Sequence, residues 1–137
     1  MPMKKVVQIF ISCLLVISLA LVLFSCSKSS VKSGSAVQLN FKVYGNDIEA
    51  TLTEEEAARV IEILSGKSYD SFAEGIPSCG FDPAVSFRID GRTYAIAMDT
   101  CGTVRDYGNL RFIHLTDEEI DYIHKLFEKY GGSFPCI

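Results

Sequence analysis

The chain divides into one long apolar run and a later region of short alternating segments. Residues 6–24 are apolar except at Gln8, Ser12, Cys13 and Ser18, whereas apolar and polar positions alternate from Val37 onward. A period of two indicates half-buried strands, and a period near 3.6 indicates amphipathic helices. The pattern therefore predicts an N-terminal apolar segment followed by a folded domain that contains both strands and helices.

The first strands of that domain form a predicted hairpin. Gly45-Asn46 suits a two-residue loop, because Gly readily adopts a positive φ. Pairing Tyr44 with Asp47 then puts three apolar pairs on one face of the hairpin: Val43 with Ile48, Phe41 with Ala50 and Leu39 with Leu52. Thr53-x-x-Glu56 follows as a capping box, which predicts that a helix begins there. Its apolar stripe is Ala57, Val60, Ile61 and Leu64, and Gly66 is a natural end.

The second half of the domain repeats this kind of pattern. Asp90-Gly91 predicts a type I′ turn between strands 84–89 and 92–98, with Ile89 opposite Arg92. A weaker hairpin is predicted with a turn at Gly108-Asn109, which places Asp106 opposite Arg111. Thr116-x-x-Glu119 is a second capping box, and the helix after it has the apolar stripe Ile120, Ile123, Phe127 and Tyr130. Residues 66–83, between the two halves, show no clear period and are predicted to form a long loop.

These elements predict an α+β fold, with an antiparallel sheet of hairpins and two helices on one face, in the order ββα-ββββα. The Tyr-Gly-Asn turn and the Leu-Thr helix start of the first half recur 63 residues later, at Tyr107 and Leu115. Two explanations for this repeated pattern stay open: a duplicated ββα unit, and independent convergence on favourable turns and helix caps.

The N-terminal run has the features of an export signal. Lys4 and Lys5 precede the apolar stretch, as in the charged and apolar regions of a signal peptide. The run ends in Leu23-Phe24-Ser25-Cys26, which resembles the lipobox of bacterial lipoproteins. That resemblance implies lipidation of Cys26 and removal of residues 1–25. An uncleaved transmembrane anchor is the alternative, since the run has about the length that a spanning helix needs.

Three regions follow from this interpretation. Residues 1–25 are a predicted lipoprotein signal peptide, and residues 26–36 are the lipidated cysteine and a flexible Ser-, Gly- and Lys-rich linker. Residues 37–137 are a predicted single extracytoplasmic domain. Both the lipoprotein and the anchor interpretation place this domain outside the cytoplasm, because the two lysines hold the N-terminus inside.

Charge narrows the choice of partners. Without residues 1–25, 11 basic residues remain against 17 acidic ones, which is a net charge of −6. Nucleic acid is therefore excluded as an expected partner, because its binding needs a basic patch. The membrane is expected to be contacted through the lipid rather than through a broad electrostatic surface.

The remaining cysteines are Cys79, Cys101 and Cys136. Exported domains commonly pair their cysteines. Extending the register of the second hairpin puts Cys101 opposite Gly80, one residue from Cys79, and a β-bulge would bring the two cysteines together. A Cys79–Cys101 disulfide is the prediction. Cys136, in the C-terminal tail, is either a competing partner for Cys101 or a free thiol.

The segment from Cys79 to Tyr130 resembles an extracytoplasmic module of Gram-positive surface proteins. The residues that carry the resemblance are Cys79-x-Phe81, Asp90-Gly91, Cys101-Gly102 and Thr116-Asp117-Glu118-Glu119. The resemblance implies a surface location but no particular activity.

The sequence contains little that indicates chemistry. His114 and His124 lack zinc-ligand spacing, and no phosphate loop, nucleophile elbow or calcium loop is present. No cofactor, metal site or catalytic residue is predicted. The expected function is a membrane-anchored binding or interaction module for a protein, peptide or envelope component. The alternative is a cell-envelope enzyme with a site built from scattered carboxylates.

Overall fold

The computed structural model describes residues 2–23, 28–70 and 80–136. Its elements, in chain order, are α1 (Met3–Leu23), β1 (Val37–Val43), β2 (Asn46–Thr51), α2 (Glu54–Leu64), β3 (Tyr69–Asp70), β4 (Phe81–Ile89), β5 (Arg92–Ala97), β6 (Thr103–Asp106), β7 (Arg111–His114) and α3 (Asp117–Lys129). The predicted α+β class is confirmed. The sequence missed β3, which lies in the region predicted to be a loop, so five strands rather than four separate α2 from α3.

All strands belong to one antiparallel sheet, in the order β2-β1-β4-β5-β6-β7-β3. Every hairpin places its two strands side by side, and the β1–β4 pairing joins the first hairpin to the strands of the second half. The middle strand of the sheet is β5. β2 lies at one edge and β3 at the other. The two edges of the sheet are therefore formed by residues from the first half of the domain.

The first hairpin has a different register from the predicted one. Val43 pairs with Asn46 and Phe41 with Ile48, two residues away from the expected partners. The turn is Tyr44-Gly45, with φ of 52° and 80°, because a type I′ turn needs two consecutive positive φ angles. A shift of two residues keeps every side chain on its expected face, and the apolar pattern was therefore unable to distinguish the two registers.

The second hairpin has the predicted turn but an unexpected bulge. Ile89 pairs with Arg92 and Phe87 with Tyr94, as predicted. The predicted pairing of Val85 with Ile96 is wrong, because Ser86 pairs with Ala95 while Phe81 pairs with Ala97. Four residues of β4, 82–85, therefore lie opposite the single residue Ile96 on β5.

The cause of this bulge is local. Pro83 has no amide hydrogen for the ladder, and the Asp82 carboxylate accepts a hydrogen bond from the Ala84 amide at 2.8 Å. The bulge also changes the expected neighbour of Gly80. The Gly80 carbonyl accepts a hydrogen bond from the Met98 amide at 2.9 Å, whereas the predicted register placed Cys101 opposite Gly80.

Both helices begin as the sequence predicts. The Thr53 and Thr116 hydroxyls accept hydrogen bonds from the amides of Glu56 and Glu119, and each glutamate accepts one in return from the threonine amide. These reciprocal bonds satisfy amides that the first turn leaves without helical partners. The predicted stripe of α2 is buried, and Ile63 joins it. In α3, Ile123, Leu126 and Phe127 are buried, while Ile120 and Tyr130 are half-buried.

One hydrophobic core lies between the helices and one face of the sheet. It joins the buried side chains of α2 and α3 with those of a single strand face, which include Leu39, Phe87, Tyr94 and Ile113. The Phe127 ring contacts Phe87 and Phe41, with ring centroids 5.1 and 6.1 Å apart. Both helices therefore pack on the same face of the sheet, as predicted.

The N-terminal helix α1 stands apart from this core. Its apolar side chains from Met3 to Ile17 are exposed, and none of them belongs to the core cluster. All the core residues that the structure describes thus lie between residues 28 and 136. Among the described residues, no helix is both long and apolar enough to span a membrane.

The predicted flexible linker is bound to the domain along part of its length. Ser29 is 3% exposed, and its amide donates to the Lys67 carbonyl at 2.8 Å. Its hydroxyl accepts from the Lys67 amide at 2.8 Å, and its carbonyl accepts from the Gly66 amide at 2.8 Å. Val31 packs against the core. The expectation of a free tether from residue 26 to 36 is therefore wrong for residues 28–31. Ser29 is held by specific hydrogen bonds, and Val31 packs against the core.

Candidate binding surface

An exposed aromatic residue marks the tip of the first hairpin. Tyr44 is 85% exposed, although it occupies a left-handed backbone conformation, with φ of 52°. That conformation costs a non-glycine residue roughly 1–2 kcal/mol. Such conformations occur in type I′ turns and also cluster at sites of function. The positive φ of Tyr44 was not predicted, because Tyr44 was expected to be a strand residue next to the turn.

The edge strand β2 leads away from this tip. Within the described residues, β2 pairs with β1 on one side and with no strand on the other. An open edge of this kind presents unpaired amides and carbonyls to a possible added strand. β2 therefore offers a backbone surface that a second polypeptide could extend.

The side chains of β2 have different chemistry on the two faces of the sheet. Asp47 and Glu49 lie on the face opposite the core, where Lys42 approaches them at 3.5 and 3.9 Å. Ile48 and Ala50 lie on the core face and are only half-buried. The Ile48 side chain lies beside Gly131, at the end of α3. An added strand would thus meet acidic groups on one face and apolar groups on the other.

A cleft of about 390 Å³ opens beside the hairpin tip. Its walls are the end of β1, the turn and the C-terminal tail: Phe41, Val43, Tyr44, Gly45, Asn46, Ser133, Pro135 and Cys136. The Asn46 side-chain amide donates to the Gly131 carbonyl at 3.1 Å and ties the hairpin to the end of α3. The cleft is continuous with the open edge of β2, since both include Asn46.

The C-terminal tail is packed against the domain. The Cys136 amide donates to the Met98 carbonyl at 2.8 Å. Phe134 stacks on the His124 ring, with centroids 4.2 Å apart, and contacts Phe127 and Phe41 edge-on. Burial lowers the pKa of His124, against the opposing effects of Glu128 and Asp121. His124 is accordingly a packing residue of the tail.

The cysteines fall into three groups. Cys13 and Cys136 are free thiols, and burial raises the pKa of Cys136, which reduces its reactivity. Cys101 is disulfide-bonded, whereas Cys136 is not, so the alternative pairing of Cys101 with Cys136 is wrong. Cys26 and Cys79 lie outside the described residues.

The pairing of Cys79 with Cys101 stays a prediction. Peptide mapping without reduction should recover one linked pair of peptides that contain these two residues, and an unlinked peptide that contains Cys136. Recovery of Cys79 as a free thiol would contradict the assignment.

The buried carboxylates are used in holding the fold together. Asp106 is fully buried and accepts hydrogen bonds from Arg92 at 2.7 Å and from the Gly108 amide at 2.9 Å. Glu119 accepts from Lys67 at 2.7 Å, across the gap between α2 and α3. The Asp106 contacts close a turn, and the Glu119 contact joins α3 to the chain after α2. These structural roles give no support to an enzyme built from scattered carboxylates.

Glu56 has the most strongly shifted carboxyl group. Its partial burial would by itself raise its pKa, but hydrogen bonds from Lys129, Tyr130 and Thr53 lower the pKa from 4.5 to about 2. The Tyr130 hydroxyl donates to Glu56 at 2.6 Å, and Lys129 forms an ion pair with it. Glu56 thus connects the start of α2 to the end of α3.

Metal-binding geometry is not present in the part of the chain that the structure describes, where no three His, Cys, Asp or Glu side chains come together in a suitable group. His114, the second histidine, is exposed and approaches the Thr103 hydroxyl at 3.4 Å.

Comparison of the chain with protein-family models, curated proteins and solved structures gave no match.

Proposed function

We propose that the chain is a bacterial lipoprotein, held at the outer face of the cell membrane through a lipid on Cys26, and that its domain is a binding module. The signal-like run and the lipobox-like residues 23–26 support the anchoring. The domain would then act on partners outside the cytoplasm. The resemblance of residues 79–130 to a module of Gram-positive surface proteins agrees with this location.

The observation that carries the binding proposal is the open edge of β2 beside the strained, exposed Tyr44. Addition of an extended peptide to a sheet edge gains affinity from main-chain hydrogen bonds and specificity from alternate side chains. Here the ligand is an extended segment of a protein or peptide. Tyr44 would provide an aromatic contact at one end of it, as aromatic residues do in many interfaces.

The faces of β2 define the ligand further. Directly opposed residues on neighbouring strands interact most strongly, and opposite charges in such pairs are favourable. Residues level with Asp47 and Glu49 should therefore be Lys or Arg, and residues level with Ile48 and Ala50 should be apolar. The proposed ligand alternates between basic and apolar residues.

A titration with synthetic peptides tests this proposal. The probe is a capped peptide in which Lys alternates with Val, and the control has the same composition with its lysines and valines in separate blocks. The alternating peptide should shift the NMR signals of the 46–51 amides, and the block peptide should not. Glu49→Lys should weaken the interaction, because it replaces an attractive pair with a repulsive one.

Two results would contradict the binding proposal. One is equal binding of the two peptides, which would indicate unspecific charge attraction. The other is a set of signal changes that avoids β2 and Tyr44.

A further inference from the structure

The docked segment 28–31 lies close in sequence to the proposed lipid attachment point. Ser29 is only three residues after Cys26, and three residues of fully extended chain span at most about 11 Å. Ser29 itself is held by three hydrogen bonds of 2.8 Å to Gly66 and Lys67. A lipid on Cys26 is therefore separated from the bonded Ser29 by at most about 11 Å of chain.

The segment begins beside the edge strand β3, and its Ser30 carbonyl accepts a hydrogen bond from Arg92 of β5 at 3.5 Å. Lys28 forms a bridge with Ser68, and Ser68 is followed directly by β3, the edge strand next to β7. The open edge of β2 is the opposite end of the seven-stranded order. Six strand spacings of about 4.8 Å separate the two edges, which gives a distance of roughly 29 Å.

We infer that the docked segment fixes the orientation of the domain on the membrane: the β3 edge, at residues 66–69, faces the lipid headgroups, and the β2 edge with Tyr44 faces away. This inference rests on the proposed lipidation of Cys26. It gives the anchored protein a membrane-facing surface and leaves the proposed binding edge open to large partners.

Charge has a secondary part in this orientation. Lys28 on the docked segment and Lys32 directly after it are exposed, and their ammonium groups suit phosphate headgroups. Asp117 and Glu118 oppose them, because they adjoin Glu119, which binds Lys67 at 2.7 Å in the same region. The orientation thus depends on the short connection and not on attraction to anionic lipid.

A free tether would give a different arrangement. If residues 26–36 formed a flexible coil, the domain would rotate, and every part of its surface would approach the membrane about equally often. The two arrangements differ in how close the residue 66–69 amides and the residue 46–51 amides come to the headgroups.

Paramagnetic broadening in lipid nanodiscs measures this difference. Residues 26–137 are labelled with ¹⁵N and joined through Cys26 to a maleimide phospholipid in phosphatidylcholine nanodiscs that contain a gadolinium-chelating lipid. This chain includes the whole core, and Cys136 is buried. The amides of Gly66 and Ser68 should lose most of their signal, while those of Asn46 and Glu49 keep nearly all of theirs.

Variants in the docked segment provide the control. Ser29→Pro removes the amide and the hydroxyl that bond Lys67, so the difference between the two edges should disappear. Ser33→Pro introduces a proline two residues beyond the docked segment, away from the bonded positions, and should keep the difference. Unchanged signals of Phe87 and Tyr94 in both variants show that the core is intact.

The inference is overturned if both edges broaden equally in the parent chain, or if Ser29→Pro keeps the full difference. Because the lipid is attached chemically, these outcomes do not depend on whether cells lipidate Cys26. Mass spectrometry of the natural protein decides that question separately.

Discussion

Asp106 shows how a single buried residue determines a local structure. It lies at the end of β6, is fully buried, and accepts hydrogen bonds from the Arg92 side chain and from the Gly108 and Asn109 amides. Its carboxylate thereby holds the turn between β6 and β7. The sequence predicted this turn and the pairing of Asp106 with Arg111, and the pairing is confirmed. It did not predict the contact of Asp106 with Arg92.

Asp106→Asn should therefore destabilise the domain. Asn can keep one oxygen for the two turn amides, but its NH2 group then replaces the oxygen that accepts from Arg92 and from the Asn109 side chain. Arg92 loses its carboxylate partner, at a cost of about 2 kcal/mol or more. Urea unfolding should show a lower midpoint with an unchanged slope. Asp121→Asn is the matched control: its pair with Lys125 is exposed, so about 0.5 kcal/mol or less is expected. Equal effects would contradict the role of Asp106.

Glu56 makes stability depend on pH in the acidic range. Its pKa in the folded chain is about 2, against 4.5 for an ordinary glutamate. A group with a lowered pKa contributes stability above its unfolded value, and this contribution is lost as pH falls through the folded value. The loss should thus occur between pH 4.5 and about pH 2.

An NMR titration of the Glu56 carboxyl carbon tests this directly. The parent chain should titrate near the lowered value, and Tyr130→Phe should move the pKa upward because it removes one donor to the carboxylate. Glu56→Gln should also flatten the acid side of the curve of stability against pH. A pKa near 4.5 in the parent chain would contradict the account.

At the scale of elements, the hairpin turns allow a test of strain. Tyr44 and Leu110 both have φ of 52°, and both are exposed. Tyr44→Asn should raise the free energy of unfolding by about 1 kcal/mol, since Asn tolerates this conformation and favours type I′ turns. The same change should reduce binding of the alternating peptide.

Asp90→Asn is the control for that turn. Asp90 also has a positive φ, but Asp and Asn both suit the position, so little change in the denaturation midpoint is expected. A Tyr44→Asn variant that is no more stable than the parent would show that the turn is not strained.

The elements also show which parts of the fold are readable from sequence. Both capping boxes and the Asp90-Gly91 turn were predicted correctly, because each depends on neighbours within a few residues. The register of the first hairpin was wrong, since two registers two residues apart place the same side chains on the core face. The short strand β3 has no pattern of its own and exists only through its pairing with β7.

At the scale of the whole molecule, the candidate surface depends on contacts between distant segments. The cleft joins the first hairpin to the C-terminal tail, about 90 residues later. Ser29 of the docked segment bonds to Lys67, in the chain after α2. Composition alone predicts a flexible linker, because Ser and Gly are frequent in unstructured segments. The site that binds the docked segment is formed only by the folded domain.

The central claim is that the domain is held at the outer membrane face through Cys26, and mass spectrometry of the protein extracted from membranes tests it most directly. The account predicts that the mature chain begins with an acylated Cys26 and lacks residues 1–25. Cys26→Ala should abolish both the processing at that bond and the acylation. An unprocessed chain, or a Cys26→Ala form still cut at the same bond and still bound to the membrane, would contradict the claim.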